Sequence, residues 1–392
     1  MLRVLYFVHD LSDPAVRRRV MMLRAGGAEV ALAGFRRAAD VAPDIIALSP
    51  IELGRTRDGK FGQRLAAVAR AAATLGNKLR HLTRPDVIIG RNLEMLALAS
   101  RARQLFSADV PIVYECLDIH RLLIGQNGIS WAMRSAERML GRNAALLLTS
   151  SPAFVRDYFK SFGQTRAPIA LLYNKVLELV EKPEAFNGRL AAPEAKEPWV
   201  IGWFGALRCK KSLDLLASFT RRMEGGFEVV LRGRPAYSEF DDFDRRAAAE
   251  PFMRFEGPYR NPEDLASIYG AVHFSWAIDF FEEGLNSRWL LPNRLFEGCR
   301  YGAVPIAAAR TETGNFLSER HIGIVLDEVS EGALADRLGG MDRKAYTAAR
   351  NKILVQDQTT WVCDLRDCRA LVERLASLSP RRMNDMLLQA VS

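Results

Sequence analysis

The chain has 392 residues, of which 49% are hydrophobic and 26% charged, and its formal net charge is +9 at pH 7. A single hydrophobic core rarely grows beyond about 250–300 residues, so this length predicts two domains. The composition excludes an intrinsically disordered chain. The positive charge indicates nucleic acid, an anionic membrane or an anionic substrate as a partner.

The first apolar run, Val4–Val8, is only five residues long. It is too short for the core of a signal peptide or for a membrane span, and no later stretch reaches 18 uncharged apolar residues. We therefore expect a cytoplasmic protein that is soluble or peripheral to a membrane. The cysteines are scattered without a CxxC pair, which argues against a disulfide framework and a zinc site; they are Cys116, Cys209, Cys299, Cys363 and Cys368.

Short apolar runs alternate with helical patterns in the first half of the chain, which predicts a parallel sheet built from βαβ units. The first helix has a clear beginning, because Asp13 offers an N-cap and Pro14 suits the first helical position. The predicted strands are Val4–Val8, Glu29–Ala33, Val87–Gly90, Ile112–Cys116, Leu146–Thr149 and Ile169–Leu172.

Residues 181–198 are rich in proline and glutamate and have no strand pattern, which predicts a linker between domains 1–180 and 199–358. Beyond the linker the alternation resumes, with helices from Ser212 and around Arg294–Arg300. Apolar residues recur at helical spacing over residues 359–392, which predicts an amphipathic last helix. The predicted strands are Trp199–Phe204, Glu228–Leu231, Val272–Trp276, Val304–Ala308 and Ile322–Leu326.

The segment IGWFGALRCKKSLDLL predicts a strand, a turn at Gly205 and a helix from about Ser212, with Arg208, Lys210 and Lys211 between them. Backbone N–H groups, a helix N-terminus and cations together suit a diphosphate. Many strand-turn-helix units carry a lysine, however, so a solvated basic turn is the alternative.

The segment LLPNRLFEGCRYGAVPI places Asn293, Arg294 and Glu297 near the start of a predicted helix. Their spacing allows all three to share one helical face. A carboxylate there can accept both hydroxyls of a ribose, while Arg294 faces a phosphate. The alternative is a surface glutamate paired with Arg294 or Arg300.

These two segments, with FEGPYRNPEDLASIYGAVHFSW between them, resemble the donor domain of GT-B glycosyltransferases, in particular the family-4-like and exopolysaccharide-assembly enzymes. The resemblance covers the C-terminal half of the chain and, more weakly, the N-terminal half. It implies an α/β fold of two Rossmann-like domains that face a central cleft. It also implies a last helix that crosses back to the first domain, and transfer of a sugar from a nucleotide-sugar donor to an acceptor.

The resemblance assigns roles to residues of the second domain. Lys211 matches the lysine that contacts the donor diphosphate, Glu297 the glutamate that binds the ribose hydroxyls, and Gly205 the glycine that faces the donor. Gly257 and Tyr259 would lie near the nucleobase.

The sequence departs from the family at two positions. The arginine that usually follows the glycine is Ala206 here, so Arg208 or Lys210 must supply that charge. The position expected for the first glutamate of the E-x7-E pattern is Leu290 here, which argues against the retaining E-x7-E group. The loop before it offers Asn286 and Arg288 as contacts for the transferred sugar.

The first domain should hold the acceptor and, in an inverting reaction, the general base. The turn after the first strand brings His9, Asp10 and Asp13 to the carboxyl edge of the sheet. Asp13 is also the N-cap candidate. Asn92 and Glu94 follow another strand and are further acceptor-side candidates.

The segment VYECLDIH carries Asp118 and His120 in the loop after a strand. Similar loop endings lie at the cleft in relatives. An inverting enzyme needs a group that removes the proton of the acceptor hydroxyl. We assign that role first to Asp118 and second to His120, and the alternative for both is a loop-capping residue.

We expect no metal and no other cofactor. The DxD at Asp242–Asp244 lies in a charged helical stretch, so it is interpreted as solvated surface, and cations with a helix end can stabilise the leaving diphosphate. Residues 59–85 contain six Lys or Arg and no acid, with apolar residues at helical spacing. They predict either a helix on the anionic inner face of the cytoplasmic membrane or a packed surface helix.

The predicted activity is therefore inverting, metal-independent transfer of a hexose, with UDP-glucose as the expected donor, to a lipid-linked or envelope polysaccharide acceptor. The alternatives are a sugar-nucleotide epimerase of the same fold and a non-catalytic GT-B scaffold. Nucleic acid is not an expected partner, because the basic residues are dispersed and no recognised nucleic-acid module is present.

Overall fold

The structure, a computed structural model, describes residues 1–380 apart from 38–39, 57–60, 187, 189 and 195–196. The chain forms two compact units. Unit 1 contains residues 1–173, 179–182 and the chain from residue 363, and unit 2 contains residues 174–178 and 183–362. Within the described ranges no helix is long and apolar enough to cross a membrane.

Unit 1 is built on a seven-stranded sheet in which every neighbouring pair is parallel. The strand order is 3-2-1-4-5-6-7, and the central strands are buried along their whole length, as expected for a sheet covered on both faces. The strands are β1 (Leu2–Val8), β2 (Ala28–Arg36), β3 (Ile51–Arg55), β4 (Val87–Arg91), β5 (Ile112–Cys116), β6 (Ala144–Thr149) and β7 (Ile169–Leu171).

Helices connect these strands, as the alternation predicts. Asp13 caps the first of them, since its Oδ1 accepts the Ala15 N–H at 2.8 Å and Pro14 follows at the first helical position. The helices are α1 (Pro14–Ala25), α2 (Pro43–Ile46), α3 (Phe61–Leu79), α4 (Leu93–Phe106), α5 (Arg121–Ile124) and α6 (Gly128–Gly141), with a π-helix at Phe154–Lys160.

Unit 2 is built on a six-stranded parallel sheet in the order 11-10-9-12-13-14. The short strand β8 (Val176–Leu177) precedes it. The sheet strands are β9 (Trp199–Leu207), β10 (Phe227–Pro235), β11 (Met253–Phe255), β12 (Phe274–Trp276), β13 (Val304–Ala308) and β14 (Ile324–Leu326). The strand β15 (Val362–Cys363) lies where unit 2 ends.

The helices of unit 2 are α7 (Lys210–Arg222), α8 (Phe243–Ala249), α9 (Leu265–Tyr269), α10 (Asn293–Arg300), α11 (Glu312–Glu319), α12 (Glu331–Leu338) and α13 (Arg343–Leu354). Short 3-10 turns lie at Asn286–Arg288 and Gln358–Thr360.

The strand order reverses direction at one place in each sheet. In unit 1 this topological switch point lies between β1 and β4, and in unit 2 between β9 and β12. Ligands of open parallel sheets bind outside the carboxyl ends of the strands at such points. We therefore expect ligand-binding residues in the loops after β1 and β4 in unit 1 and after β9 and β12 in unit 2.

The last helix, α14 (Leu365–Ala376), belongs to unit 1 and packs on α1. The two helices approach closely at Gly26, where an added Cβ would lie 2.3 Å from the carbonyl oxygen of Cys368. Only glycine fits this position without moving the helix backbone. The side chains of Cys368, Leu371 and Leu375 are buried, which explains the apolar periodicity. Residues 381–392 lie outside the described ranges.

The segment predicted as a linker is largely part of unit 2. From Pro183 onward it is counted with that unit, and the carbonyl oxygen of Ala191 lies 3.1 Å from His273 Nε2. Arg300 donates to the carbonyl oxygen of Glu184 at 2.7 Å. Proline and glutamate content indicated the absence of regular structure, but these long-range contacts leave no trace in local sequence.

His273 is a buried residue that should make unit 2 sensitive to acid. Its Nδ1 accepts the Val200 N–H at 2.9 Å and its Nε2 lies 3.1 Å from the Ala191 carbonyl oxygen, so the neutral ring with the proton on Nε2 satisfies both partners. Burial lowers the pKa of His273 from 6.5 to about 4.

We expect the free energy of unfolding of unit 2 to fall by about 2.5 kcal/mol between pH 7 and pH 4.5 through His273 alone. The unfolded chain binds the proton near pH 6.5 whereas the folded unit resists it down to about pH 4, so stability is full above 6.5 and is lost below it. Urea unfolding measured by tryptophan fluorescence reports unit 2, which holds five of the six tryptophans. A His273→Gln variant should be less stable at pH 7 but lose less on acidification; equal losses in the two proteins would contradict this account.

Candidate active site

The switch point of unit 2 carries a partly buried ion-pair cluster. Asp279 follows β12, and its Oδ2 lies 3.4 Å from Arg294 Nη2 and 3.5 Å from Arg208 Nη2, the latter in the turn after β9. Burial alone would raise the pKa of Asp279, but the charges of Arg294 and then Arg208 lower it below its usual range. Two guanidinium groups are thus held at the carboxyl edge of the sheet.

Glu297 is a buried carboxylate on the inner face of α10. Its two oxygens accept hydrogen bonds from Asn261 Nδ2 and from the Tyr269 hydroxyl, both at 2.9 Å. Burial, followed by the Glu297 charge, raises the pKa of Tyr269, so this phenol remains a donor. A carboxylate has about four lone-pair positions. Glu297 is therefore a fixed acceptor of the kind that suits the hydroxyls of a ribose.

Tyr259 and Gly205 are neighbours close to this carboxylate. A Cβ at Gly205 would lie 3.9 Å from the Tyr259 hydroxyl. Gly205 has a φ of +108°, a conformation that favours glycine. Burial and then the Glu297 charge raise the pKa of Tyr259. Gly257, at φ +73°, provides the turn that precedes Tyr259.

The two predicted lysines at the start of α7 point to different partners. Lys211 Nζ lies 2.7 Å from Glu283 Oε1 and 4.4 Å from the centre of the Phe280 ring. Lys210 lies 3.3 Å from Asp241, a residue that is 91% exposed. Lys211 therefore faces the loop after β12 together with Arg208, which stacks on Phe281, whereas Lys210 does not join this cluster.

A cavity of about 570 Å³ opens at the carboxyl edge of β12 and β13. Lys211, Asp279 and Glu283 line one part of it, and Arg288, Arg310 and Thr311 line another. Arg310 has a φ of +59°, which is a strained conformation for a residue with a side chain. With Asp327 and Glu328, which also line it, the cavity combines three cations with four carboxylates.

The other predicted donor residues differ in accessibility. Arg288 is exposed and lines the cavity, and Asn293 is exposed at the first position of α10. Asn286 is buried in the 3-10 turn, so it shapes this loop from within. The position of the missing first glutamate also needs correction, because seven residues between the two acids lead from Glu297 to Trp289 rather than Leu290. Neither residue is acidic, so the departure from the pattern stands.

A network of buried charges lies beneath the switch point of unit 1. Glu115, at the end of β5, accepts from Arg19 Nε at 2.6 Å and from Arg91 Nη1 at 3.2 Å, and it also accepts the Tyr6 hydroxyl. Burial alone would raise the pKa of Glu115, but Arg19 and then Arg91 lower it to about 2. Arg91 continues the network to Asp13, 3.4 Å away.

His9 and Asn92 complete this switch point, as predicted from their positions after β1 and β4. His9 Nε2 lies 3.7 Å from Asp13 Oδ2. Burial lowers the pKa of His9 to about 4, so its ring is neutral at pH 7. In the described part of the chain neither His9 Nδ1 nor Asn92 Oδ1 has a hydrogen-bond partner, and both atoms are buried. Two buried polar atoms at this switch point are thus left without a hydrogen-bond partner within the described residues.

The remaining acceptor-side candidates already have local partners. Asp10 accepts the N–H of Ser12 at 3.0 Å and its hydroxyl at 2.7 Å, which shapes the turn after β1. Glu94 forms an ion pair with Arg64 Nε at 2.9 Å. Asp13 both caps α1 and neighbours His9, so its two predicted roles are compatible.

Asp118 and His120 differ in their ability to accept a proton. The Asp118 side chain is exposed in the loop after β5. His120 caps α5, because its Nδ1 accepts the Leu122 N–H at 3.2 Å. Burial lowers the pKa of His120, so the ring is neutral and carries its proton on Nε2. A ring in this state donates a hydrogen bond, which leaves Asp118 as the better proton acceptor.

Among the residues that the structure describes, no three His, Cys, Asp or Glu side chains are grouped so that they could hold a metal ion. In the DxD, Asp242 is the N-cap of α8 and accepts the Arg245 N–H at 3.1 Å. This local role accounts for the motif without a ligand.

Sequence reasoning missed the residues that hold the predicted ones in place. They are Asn261 and Tyr269 beside Glu297, and Arg19, Arg91 and Glu115 in unit 1. Arg91 and Glu115 end buried strands, and a charged residue at the end of a strand that is otherwise apolar is the signal that points to them.

The comparisons with known proteins agree with this fold. Residues 13–175 match the model of the glycosyl transferase 4-like domain. The chain resembles the structure of Anabaena Alr3699/HepE in complex with UDP, with a TM-score of 0.66 and 16% identity over 96% of this chain and 100% of that one. Sucrose-phosphate synthase from Thermosynechococcus elongatus is similar, with a TM-score of 0.64 and 15% identity over the whole of both chains. The fold is therefore that of a GT-B glycosyltransferase, as predicted.

A curated relative is more similar still in sequence. The succinoglycan biosynthesis protein ExoL of Rhizobium meliloti (strain 1021) is 57% identical over 382 residues, which is 97% of this chain and 94% of that protein. The chain belongs to the family-4-like glycosyltransferases that include this protein, and it is a glycosyltransferase.

Proposed function

We propose that this enzyme transfers glucose from UDP-glucose to a lipid-linked or envelope polysaccharide acceptor during exopolysaccharide assembly, with inversion and without a metal ion. The observation that carries the donor half is the Glu297 carboxylate, held by Asn261 and Tyr269 at the carboxyl edge of unit 2. The exopolysaccharide role is supported by the name of the ExoL relative.

A nucleoside diphosphate fits the chemistry of unit 2. Glu297 accepts the two ribose hydroxyls, and Arg208, Lys211 and the N-terminus of α7 offer positive charge to the diphosphate. Uracil and glucose are proposed because UDP and UDP-glucose are bound in the Anabaena HepE structures. The same cations stabilise the leaving UDP, which is the reason for proposing a metal-independent reaction.

Lys211 should bind the donor diphosphate, and the Glu283 carboxylate should compete with the diphosphate for Lys211. Both side chains are about half exposed, so their ion pair is worth only about 0–1 kcal/mol and is easily exchanged for a phosphate. We expect Lys211→Met to weaken UDP binding about tenfold and Glu283→Gln to strengthen it about twofold to fivefold. Titration calorimetry with UDP measures both changes. Uridine is the control, since it lacks the diphosphate, and equal losses of UDP and uridine affinity in Lys211→Met would contradict this role.

In unit 1 we propose that Asp118 removes the proton of the acceptor hydroxyl while His120 donates a hydrogen bond nearby. His9 Nδ1 and Asn92 Oδ1 are proposed to contact the acceptor. The absence of an acid at the first position of the E-x7-E pattern supports inversion. We propose the inner face of the cytoplasmic membrane as the place of action, since a lipid-linked acceptor would be reached there.

A donor screen against washed bacterial membranes tests this function. Radiolabel from UDP-glucose should enter the lipid-extractable fraction at the same rate with and without EDTA. Loss of the reaction in EDTA with recovery on added Mg²⁺ or Mn²⁺ would overturn the metal-free mechanism. Labelling from another nucleotide sugar, and not from UDP-glucose, would replace the proposed donor.

A further inference from the structure

Helix α6 presents large apolar side chains to solvent. Ile129, Trp131 and Met139 are 61%, 64% and 64% exposed. On the helical wheel Met139 and Ala132 lie at the centre of this exposed arc, with Ala136 and Ile129 on one side and Trp131 on the other, about 160° from Ile129. Among the six tryptophans Trp131 is the exposed one. We call this surface the α6 face.

The opposite side of α6 is fixed in the protein. Glu137, which points away from Met139 on the helical wheel, is fully buried and accepts from the Tyr114 hydroxyl at 2.7 Å and from Gln164 Nε2 at 2.7 Å. Arg134 donates to the carbonyl oxygens of Leu123 and Gly125 at 2.8 and 2.7 Å. The exposure of the α6 face is therefore set by a well-anchored helix.

The surroundings of the α6 face are basic. From Ile119 to Asn143, which covers α6 and its flanking turns, the sequence contains four arginines and a single acid, the buried Glu137. Arg121 precedes the helix and Arg142 follows it, and both are exposed. An exposed apolar arc with a tryptophan at one edge and arginines at the two ends of the helix is the composition of a helix that lies in the interface of an anionic bilayer.

Among the described residues, the predicted membrane segment 59–85 exposes one large apolar side chain, Leu65, whereas α6 exposes three. Residues 59 and 60 lie outside the described ranges. In α3 the large apolar side chains of Leu75 and Leu79 are buried against the protein, and the exposed side carries small and polar residues with Leu65 and Arg70. Arg64 and Lys78 are engaged with Glu94 and with the Glu52 carbonyl oxygen. The apolar periodicity of this segment thus serves the core.

We infer that the α6 face, rather than α3, docks unit 1 on an anionic phospholipid surface. This inference rests on the proposed function, because α5 joins the α6 face to Asp118 and His120 within a few residues. A docked α6 would place these residues close to the headgroup layer, where the hydroxyl of a lipid-linked acceptor is presented.

Vesicle sedimentation tests the inference with the full-length enzyme. We expect the wild type to bind vesicles of phosphatidylcholine and phosphatidylglycerol and to bind pure phosphatidylcholine much less. The triple variant Ile129→Ser, Trp131→Ser, Met139→Ser should lose at least tenfold in partitioning. The matched control, Leu65→Ser with Arg70→Gln on α3, should bind like the wild type. Thermal unfolding checks that both variants are folded.

Fluorescence locates the contact directly. Brominated phospholipids quench a tryptophan that enters the interface, so vesicles containing them should quench the wild type and leave a Trp131→Phe variant nearly unquenched. Loss of binding in the α3 control with retention in the α6 variant would overturn the inference, as would absence of binding to either vesicle. Binding to native membranes but not to lipid vesicles would indicate a protein partner and would also overturn it. UDP titration of the same variants keeps this outcome separate from the proposed function, since donor binding belongs to unit 2.

Discussion

Replacing Glu297 by glutamine should weaken UDP binding by roughly 100-fold. The two ribose hydroxyls donate to one carboxylate, and a hydrogen bond to a charged group contributes about 1.5–3 kcal/mol, so the loss of charge costs about 3 kcal/mol. Titration calorimetry with UDP and with uridine measures the change. Both ligands contain the ribose, so both should lose affinity, in contrast to Lys211→Met.

The control for this experiment separates binding from folding. Glutamine retains the volume of Glu297 and can still accept one hydrogen bond from Asn261 or Tyr269. Tyr269→Phe removes a donor to the carboxylate while keeping its charge, so it should reduce UDP affinity far less. A Glu297→Gln protein that is folded and binds UDP like the wild type would remove the ribose site from this position.

Replacing Asp118 by asparagine should lower kcat by about 10² to 10⁴, the usual contribution of a general base, without changing the Kd for UDP. His120→Gln should lower kcat less than tenfold, because the His120 ring accepts the Leu122 N–H and has no free lone pair for the acceptor proton. Initial rates with labelled UDP-glucose and washed membranes measure both effects.

The pH profile distinguishes a base from a structural residue. If Asp118 is the base, the acid limb of the wild-type kcat profile should disappear in Asp118→Asn. A larger loss of kcat in His120→Gln than in Asp118→Asn would instead make His120 the base. Unchanged kcat in both variants would place the proton acceptor elsewhere in unit 1.

Most of the fold follows from local sequence because parallel strands that are covered on both faces form continuous apolar runs. Ile112–Cys116 and Val304–Ala308 were predicted with the bounds that the structure has. The strands Ile51–Arg55 and Met253–Phe255 were missed. Both lie at an edge of their sheet, where one side meets solvent and polar residues interrupt the apolar run.

The site residues likewise fall into those that local sequence predicts and those that only the folded structure reveals. Motif spacing placed Lys211, Arg294 and Glu297 at one sheet edge, since a strand and the helix after it fix where these side chains lie. The partners of Glu297 are 28 and 36 residues away in sequence, and local pattern carries no information on such contacts. Likewise, α1 contains three consecutive arginines, and only the folded structure selects Arg19 to pair with Glu115.

The α6 face was missed for a related reason. The sequence of α6 mixes arginine, alanine and apolar residues, and its exposure depends on which side Glu137 anchors to Tyr114 and Gln164. In α3 a similar periodicity suggested a membrane surface, yet Leu75 and Leu79 are buried in the protein. Periodicity identifies an amphipathic helix, whereas tertiary contacts decide what its apolar side covers.

The central claim is that this enzyme transfers a sugar from a nucleotide-sugar donor to a separate acceptor. A proton NMR time course with UDP-glucose, washed membranes and EDTA tests it most directly. We predict release of UDP together with a new β-anomeric signal in the lipid fraction, and no change in the donor when membranes are omitted. Conversion of UDP-glucose to another nucleotide sugar without membranes would contradict the claim and make the protein an epimerase.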